Sequence, residues 1–276
     1  MLKFPQEAHT AVRPGKSTGI RIRKDKVVMR REEWIYGSNP VLEALRAGRN
    51  IMTVYLCSGR QEKVKVEEIR REAEIKGVQV EAADHPFFDS RFPKGHQGVA
   101  AKVLQKGYLS IGELISGVSG AKEAPLLVIL DGIEDPRNLG AIMRSVDAAG
   151  GHGIVIQSHR SASPGPEASK ASAGAVEHVA VSMVSNIKHA MRQMKESGII
   201  VIGAESGDYP AIWDVDLTVP LAVIIGSEGS GMRKTVRENC DMIVTIPMKG
   251  KINSLNASVA AGILLFEILR QRYSNR

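Results

Sequence analysis

The sequence predicts an α/β protein in two parts, a small mixed unit followed by a larger one built on a parallel sheet. Three observations carry this. Strand-length apolar runs alternate with helix-length amphipathic ones along the chain. Leu126–Leu130 is apolar at every position, as a strand covered on both faces must be. A polar, glycine-rich stretch, 104–124, separates the two parts and reads as a linker with one short helix at Ile111–Ile115.

Residues 1–31 carry nine basic and two acidic side chains, a net of +7 that equals the formal excess of the whole chain. Such a block is a solvated arm, and here a candidate polyanion-binding one. In the first unit, Asn39 before Pro40 predicts an N-cap and a helix over Val41–Ala47. Ile51–Cys57 alternates as a strand. Val64–Lys76 is an amphipathic helix stopped by Gly77, and Val78–Glu81 and Val99–Val103 are short strands. In the second unit, strands are predicted at Leu126–Leu130, Gly153–Ile156, Val176–Val181, Ile199–Gly203, Leu221–Ile225 and Met242–Ile246. Helices are predicted at Ala141–Ala149, Ile187–Glu196 and Ala257–Arg272. The last is apolar on more than one face, with Val259, Ile263, Leu264, Phe266, Ile268 and Leu269, and small residues at 257 and 260–262. A helix wet on one side would not look like this; burial in the monomer's own core is one explanation, and packing against a second subunit, which the small residues permit, is the expected one.

With 276 residues, 43% hydrophobic and 24% charged, the chain is an ordinary globular one, not a disordered or fibrous one. No apolar run approaches the roughly 18–20 residues of a membrane span. Two cysteines cannot build a disulfide framework or a cysteine zinc site, so a cytoplasmic location is expected. The seven histidines fall in no metal-ligand spacing, and no metal is expected. Gly15-Lys16-Ser17-Thr18-Gly19 lacks the strand and the first glycine of a phosphate loop. Asp131, Glu134 and Asp135 lack calcium-loop spacing and read as carboxylates that bind turn amides.

Gly226-Ser227-Glu228-Gly229-Ser230-Gly231 directly follows a predicted strand. Its glycines run G-x-x-G-x-G, not G-x-G-x-x-G, and Glu228 stands where a phosphate would sit, which argues against pyrophosphate binding. Two other segments accompany it: Leu130–Ser145, containing Glu134-Asp135-Pro136-Arg137-Asn138-Leu139-Gly140, and Ile246–Ala260, containing Asn253-Ser254-Leu255-Asn256-Ala257. In this order these three motifs resemble the SpoU (TrmH) family of RNA ribose 2′-O-methyltransferases, within the SPOUT superfamily, across residues 125–272. Ile35-Tyr36-Gly37, Pro40-Val41 and His96-Gln97-Gly98-Val99 resemble the L30e-like RNA-recognition domain of the 23S rRNA guanosine branch. Ala257 stands where that family usually has Val, and the 1–31 tail has no counterpart in the likeness.

The resemblance implies a parallel-sheet SPOUT domain with a trefoil knot over 125–276, preceded by a small L30e-like substrate-binding domain over 32–103. It implies S-adenosylmethionine as cofactor, RNA as partner and a homodimer. Carried onto this sequence, the polar catalytic positions are Asn138, Arg144, Glu228, Ser254 and Asn256. The cofactor positions are Gly226, Ile246 and Leu255, to which Met248 adds an apolar face and Gly203 and Ala204 a close approach to the main chain. Arg144 stays protonated, so binding the RNA phosphate and polarising the ribose hydroxyl suit it better than acting as base. The implied reaction is 2′-O-methylation of ribose in large-subunit rRNA. The alternatives are a tRNA ribose methyltransferase and a non-catalytic ribosome-binding factor.

Overall fold

A computed structural model describes residues 31–58, 64–120, 123–252 and 254–274. The basic arm, apart from Arg31, and Asn253 of the third motif lie outside the described residues. The elements run β1 (Glu32–Tyr36), α1 (Ser38–Arg46), β2 (Ile51–Cys57), α2 (Val64–Ile75), β3 (Gln79–Ala83), α3 (His85–Arg91) and β4 (Val99–Leu104). They continue α4 (Ile111–Val118), β5 (Leu126–Asp131), α5 (Pro136–Ala148), β6 (Gly153–Gln157), α6 (Pro166–Ala171), a 3₁₀ turn (Ala175–Glu177), β7 (Ala180–Val184) and α7 (Ile187–Glu196). The last are β8 (Ile200–Ala204), β9 (Leu221–Gly226), α8 (Lys234–Arg237), β10 (Met242–Val244) and α9 (Ala257–Ser274).

The first four strands form a mixed sheet in the order β1-β4-β2-β3, with β2 and β3 parallel and the other pairs antiparallel. The other six form an all-parallel sheet in the order β10-β8-β9-β5-β6-β7. In central β5, Leu126, Val128 and Leu130 join the core beneath α5 and α9, while Leu127 and Ile129 join the core with α4 and α7. Each side chain so buried contributes about 1.5–3 kcal/mol, which is why every position of this strand before Asp131 is apolar.

Several local expectations change. α1 begins at Ser38, so Asn39 is not its cap. Gly37, at φ +99°, turns the chain, and the Gln97 Oε1 accepts from the Ser38 N–H at 3.0 Å, so a residue 59 positions away does the capping. α5 begins at Pro136 rather than Ala141, with Asp135 as N-cap accepting from the Arg137 N–H at 2.8 Å. That Asx-Pro start places Asn138 in the first helical turn. The predicted strand Val176–Val181 divides into the 3₁₀ turn and β7. α3, capped by Asp84, was not anticipated. Within 104–124, Leu109 bridges to Ser182 beside β7, and Leu114, Ile115 and Val118 of α4 are buried in the second core.

Close approaches and ion pairs join the two sheets. Arg49 bonds Glu177 at 2.5 Å, pairs with Glu33 and donates to the Leu104 carbonyl at 3.3 Å. Lys106 Nζ donates to the carbonyls of Val176, Glu177 and Val179 at 2.7, 2.9 and 3.1 Å, and burial pushes its ammonium below the usual lysine range. Lys170 of α6 donates to the Gly95 carbonyl at 2.7 Å. Gly174, at φ +100°, passes so near Glu43 that a Cβ would lie 2.6 Å from the Glu43 Cβ.

Candidate active site

The site is assembled at the C-terminal ends of the parallel strands, where open α/β sheets bind ligands. β9 ends in a loop that closes on itself: Ser227 and Gly231 exchange backbone hydrogen bonds at 3.1 and 2.9 Å. A Cβ on Gly226 would lie 2.4 Å from backbone atoms of Gly231 and Met232, and Gly231 sits at φ +64°. Those two constraints account for glycine at these two positions. The loop's exit is fastened by Asp131 at the end of β5. Its buried carboxylate accepts from the Arg233 N–H at 2.8 Å and from the Arg233 Nε at 2.7 Å.

Three motifs meet beside this loop. Asn256 precedes α9, and its Oδ1 accepts from the Ser258 N–H at 2.9 Å, capping the helix. Its Nδ2 donates to Asn138 Oδ1 at 3.2 Å and to Glu228 Oε1 at 3.0 Å. Asn138 Nδ2 donates to the same Glu228 oxygen. One carboxylate oxygen thus orients two amides from segments far apart in the chain.

The cluster borders a cavity of about 470 Å³. Ala204, Gly226, Ile246, Met248 and Leu255 line it, as do Glu228 and Ser254. Two sequence-selected residues lie elsewhere. Gly203 does not line the cavity: its open side faces Met232 and Ile243, and a Cβ would lie 2.6 Å from the Met232 Cε. It gives room to a methionine, not to a ligand. Arg144 is exposed on α5, outside the lining, with no ion pair among the described residues. Glu205 and Arg237 line the cavity and were not singled out. They pair at 2.7 Å, with Arg237 Nη2 donating to Glu205 Oε1 at 2.8 Å. The available signal was position, since Glu205 directly follows β8 just as the glycine loop follows β9.

Among the described residues no three His, Cys, Asp or Glu side chains converge as a metal site. The donor set offers loop amides and carbonyls, apolar walls from Ile246 and Leu255, and carboxylates at Glu205 and Glu228. Backbone groups can read a base edge, apolar walls can hold its faces, and carboxylates suit hydroxyl or cationic groups, so the lining fits a nucleoside with a positively charged arm. The volume falls within the usual range of such pockets, about 300–1,000 Å³.

A cavity whose lining fits a nucleoside, at the strand ends of a parallel sheet with a separate small sheet ahead of it, is the architecture of an enzyme that uses a nucleoside cofactor. Residues 125–266 match the SpoU rRNA Methylase family, and residues 34–109 match the RNA 2′-O ribose methyltransferase substrate-binding domain. The chain belongs to the SpoU methylase family, and it is a methyltransferase of the SpoU/TrmH type. It is 38% identical over 240 residues to a TrmH family tRNA/rRNA methyltransferase of Bacillus subtilis, covering 87% of this chain and 96% of that one. It is 43% identical over 243 residues to a tRNA/rRNA methyltransferase of Mycobacterium leprae, covering 87% and 78%. The fold superposes on the SpoU methyltransferase AviRb of Streptomyces viridochromogenes, solved with AdoMet, with a TM-score of 0.74 and 26% identity over 88% of this chain and 91% of that one. An AdoMet-bound rRNA methyltransferase of Sinorhizobium meliloti gives 0.72 and 25% identity over 87% of each chain.

Proposed function

We propose that this chain uses S-adenosylmethionine to methylate a ribose 2′-hydroxyl in RNA, with 23S rRNA as the substrate. The observation that carries it is the Asn138–Glu228–Asn256 cluster, which joins three motifs at the rim of a cavity fit for that cofactor. The cofactor supplies an already activated methyl group on a sulfonium. What remains for the protein is to align two reactants and weaken an O–H bond. Glu228 fixes the Asn138 and Asn256 amides, leaving the second Asn138 amide proton to orient the ribose. Ser254, on the cavity lining, offers a hydroxyl to the same end. Arg144, exposed on the helix that carries Asn138 and without an ion pair among the described residues, binds the adjoining phosphate and polarises the hydroxyl. Gly226, Ile246, Met248, Leu255 and Ala204 hold the nucleoside.

In this reading residues 32–103 bind RNA, 104–124 connect, and 125–276 form the catalytic domain with its trefoil knot. α9 supports a homodimer. Ala257, Ala261, Leu264, Leu265 and Ile268 are buried in the core, whereas Val259, Ile263 and Phe266 stand 49%, 39% and 49% exposed on another face. Incubating the protein and labelled S-adenosylmethionine with 23S rRNA and, separately, with bulk tRNA tests the proposal. Label at one ribose of 23S rRNA is the expected result; label confined to tRNA selects the tRNA alternative, and none on either RNA overturns the assignment.

A further inference from the structure

A second, larger groove, of about 710 Å³, lies between the two sheets. Trp34 and Tyr36 of β1 and Phe92 after α3 form one wall; Pro136 at the start of α5, Ser163 ahead of α6 and Glu167 in its first turn form the other. The aromatic wall is held rigid from behind. Trp34 packs on Tyr55 at 5.3 Å and on Phe92 at 5.6 Å, and Tyr36 packs on Phe92 at 5.6 Å. Yet among the described residues Trp34 remains partly exposed.

Basic side chains flank the groove. Arg91 lines it, and its guanidinium sits 4.3 Å over the Phe87 ring. Lys94 and Arg160 are exposed and each adjoins a lining residue in sequence, as does Arg137, which is paired with Asp135 at 3.3 Å. Glu167 is the one acid in the lining. The groove also meets the candidate active site through a single helical turn: Pro136 lines the groove, and Asn138, two residues on, belongs to the Glu228 cluster.

We infer that this groove takes an unstacked nucleobase of the RNA substrate, from a nucleotide close to the one whose ribose is methylated. The inference rests on the proposed RNA reading and deepens it. A planar base gains from a rigid aromatic wall whatever its identity. The surrounding cations match the phosphates on either side of such a base, and they fit an apolar protein segment poorly. Glu167 and the Ser163 hydroxyl give the base edge a donor and acceptors to meet. Two residues of helix span about 3 Å along its axis, so base and target ribose fall on one short stretch of strand.

The test uses the full chain carrying Trp213→Phe, which leaves Trp34 as the one tryptophan. A mixed-sequence RNA octamer and an octamer of the same charge with its bases removed are titrated against Trp34 fluorescence. Quenching by the first and not the second is expected, and Ser163→Phe, which fills the groove from an exposed position without adding a tryptophan, should weaken octamer binding about tenfold. Calorimetry with S-adenosylmethionine should show cofactor binding unchanged in that variant, which verifies its fold. Equal quenching by both octamers, or unchanged octamer binding in Ser163→Phe, overturns the inference. So does quenching that appears only after residues 1–30 are removed, which makes the chain's own arm the occupant. The RNA reading fails separately, through absence of methyl transfer by the unaltered protein.

Discussion

Asn256 donates to Asn138 Oδ1 at 3.2 Å across 118 residues of chain, while its own Oδ1 caps α9. One side chain therefore ends a helix and completes a polar cluster, and the two duties can be separated. Asn256→Ser keeps a capping oxygen and loses the amide donor. Its melting temperature should stay within a few degrees of the parent while methyl transfer falls about 100-fold or more. Asn256→Ala should lose about 1 kcal/mol in addition, read as a lower urea midpoint.

Arg144→Ala should lower turnover by about 100- to 1,000-fold and leave S-adenosylmethionine affinity unchanged, because the side chain lies outside the cofactor cavity. Arg144→Lys should be nearly as poor, since an ammonium does not reproduce the planar fork. Parallel calorimetry and single-turnover assays check both halves; lost cofactor binding in the alanine variant would place Arg144 in the wrong part of the site.

Asp131→Ala removes the fully shielded carboxylate that fastens Arg233, whose side chain is half exposed and can turn to water. The loss is therefore below the roughly 3–5 kcal/mol of a pair buried on both sides, about 2 kcal/mol for the charged hydrogen bonds removed. It should be accompanied by weaker cofactor binding, because the glycine loop loses its anchor. Chemical denaturation and cofactor titration of the same variant measure the two effects.

Phe266→Arg places a charge on the exposed apolar face of α9. Light scattering should give a dimer mass for the parent at micromolar concentration and a monomer mass for the variant.

His152 gives the pH dependence its sign. Burial, helped by the nearby Arg272 guanidinium, holds its imidazole below the ordinary value of about 6.5, and Nδ1 accepts from the Leu126 N–H at 3.1 Å. In the window just below that ordinary value the unfolded chain binds more protons than the folded one. Stability therefore falls as pH drops through this window, and it recovers as pH rises. His152→Asn keeps an acceptor for Leu126 and removes the titration, so denaturation measured across pH 5–7 should show a flatter profile.

Much of this architecture is written in local pattern. The unbroken apolar run Leu126–Leu130 reports a strand covered twice, and the glycines at 226 and 231 report a loop that folds onto its own backbone. The three motifs also carry Asn138, Glu228 and Asn256, whose side chains meet in the structure. What local pattern hides is set by distant neighbours. α1 starts where Gln97 reaches it, not where Asn39 suggests. Gly203 looked like access for a ligand because the side chain that fills its space, Met232, lies 29 positions further on. Glu205 and Arg237 escaped notice because their ion pair is formed by tertiary structure between segments that carry no motif.

Arg49 and Lys106 have a consequence for how a nucleic acid is judged. Arg49 ties Glu33 of the small sheet to Glu177 of the 3₁₀ turn ahead of β7, and Lys106 closes three carbonyls at that turn. The two halves are clamped like the jaws of a set caliper, not hung on a tether. On the proposed RNA reading, a strand that touches both halves meets a fixed gap and must bring its own curvature, so its bend counts beside its letters.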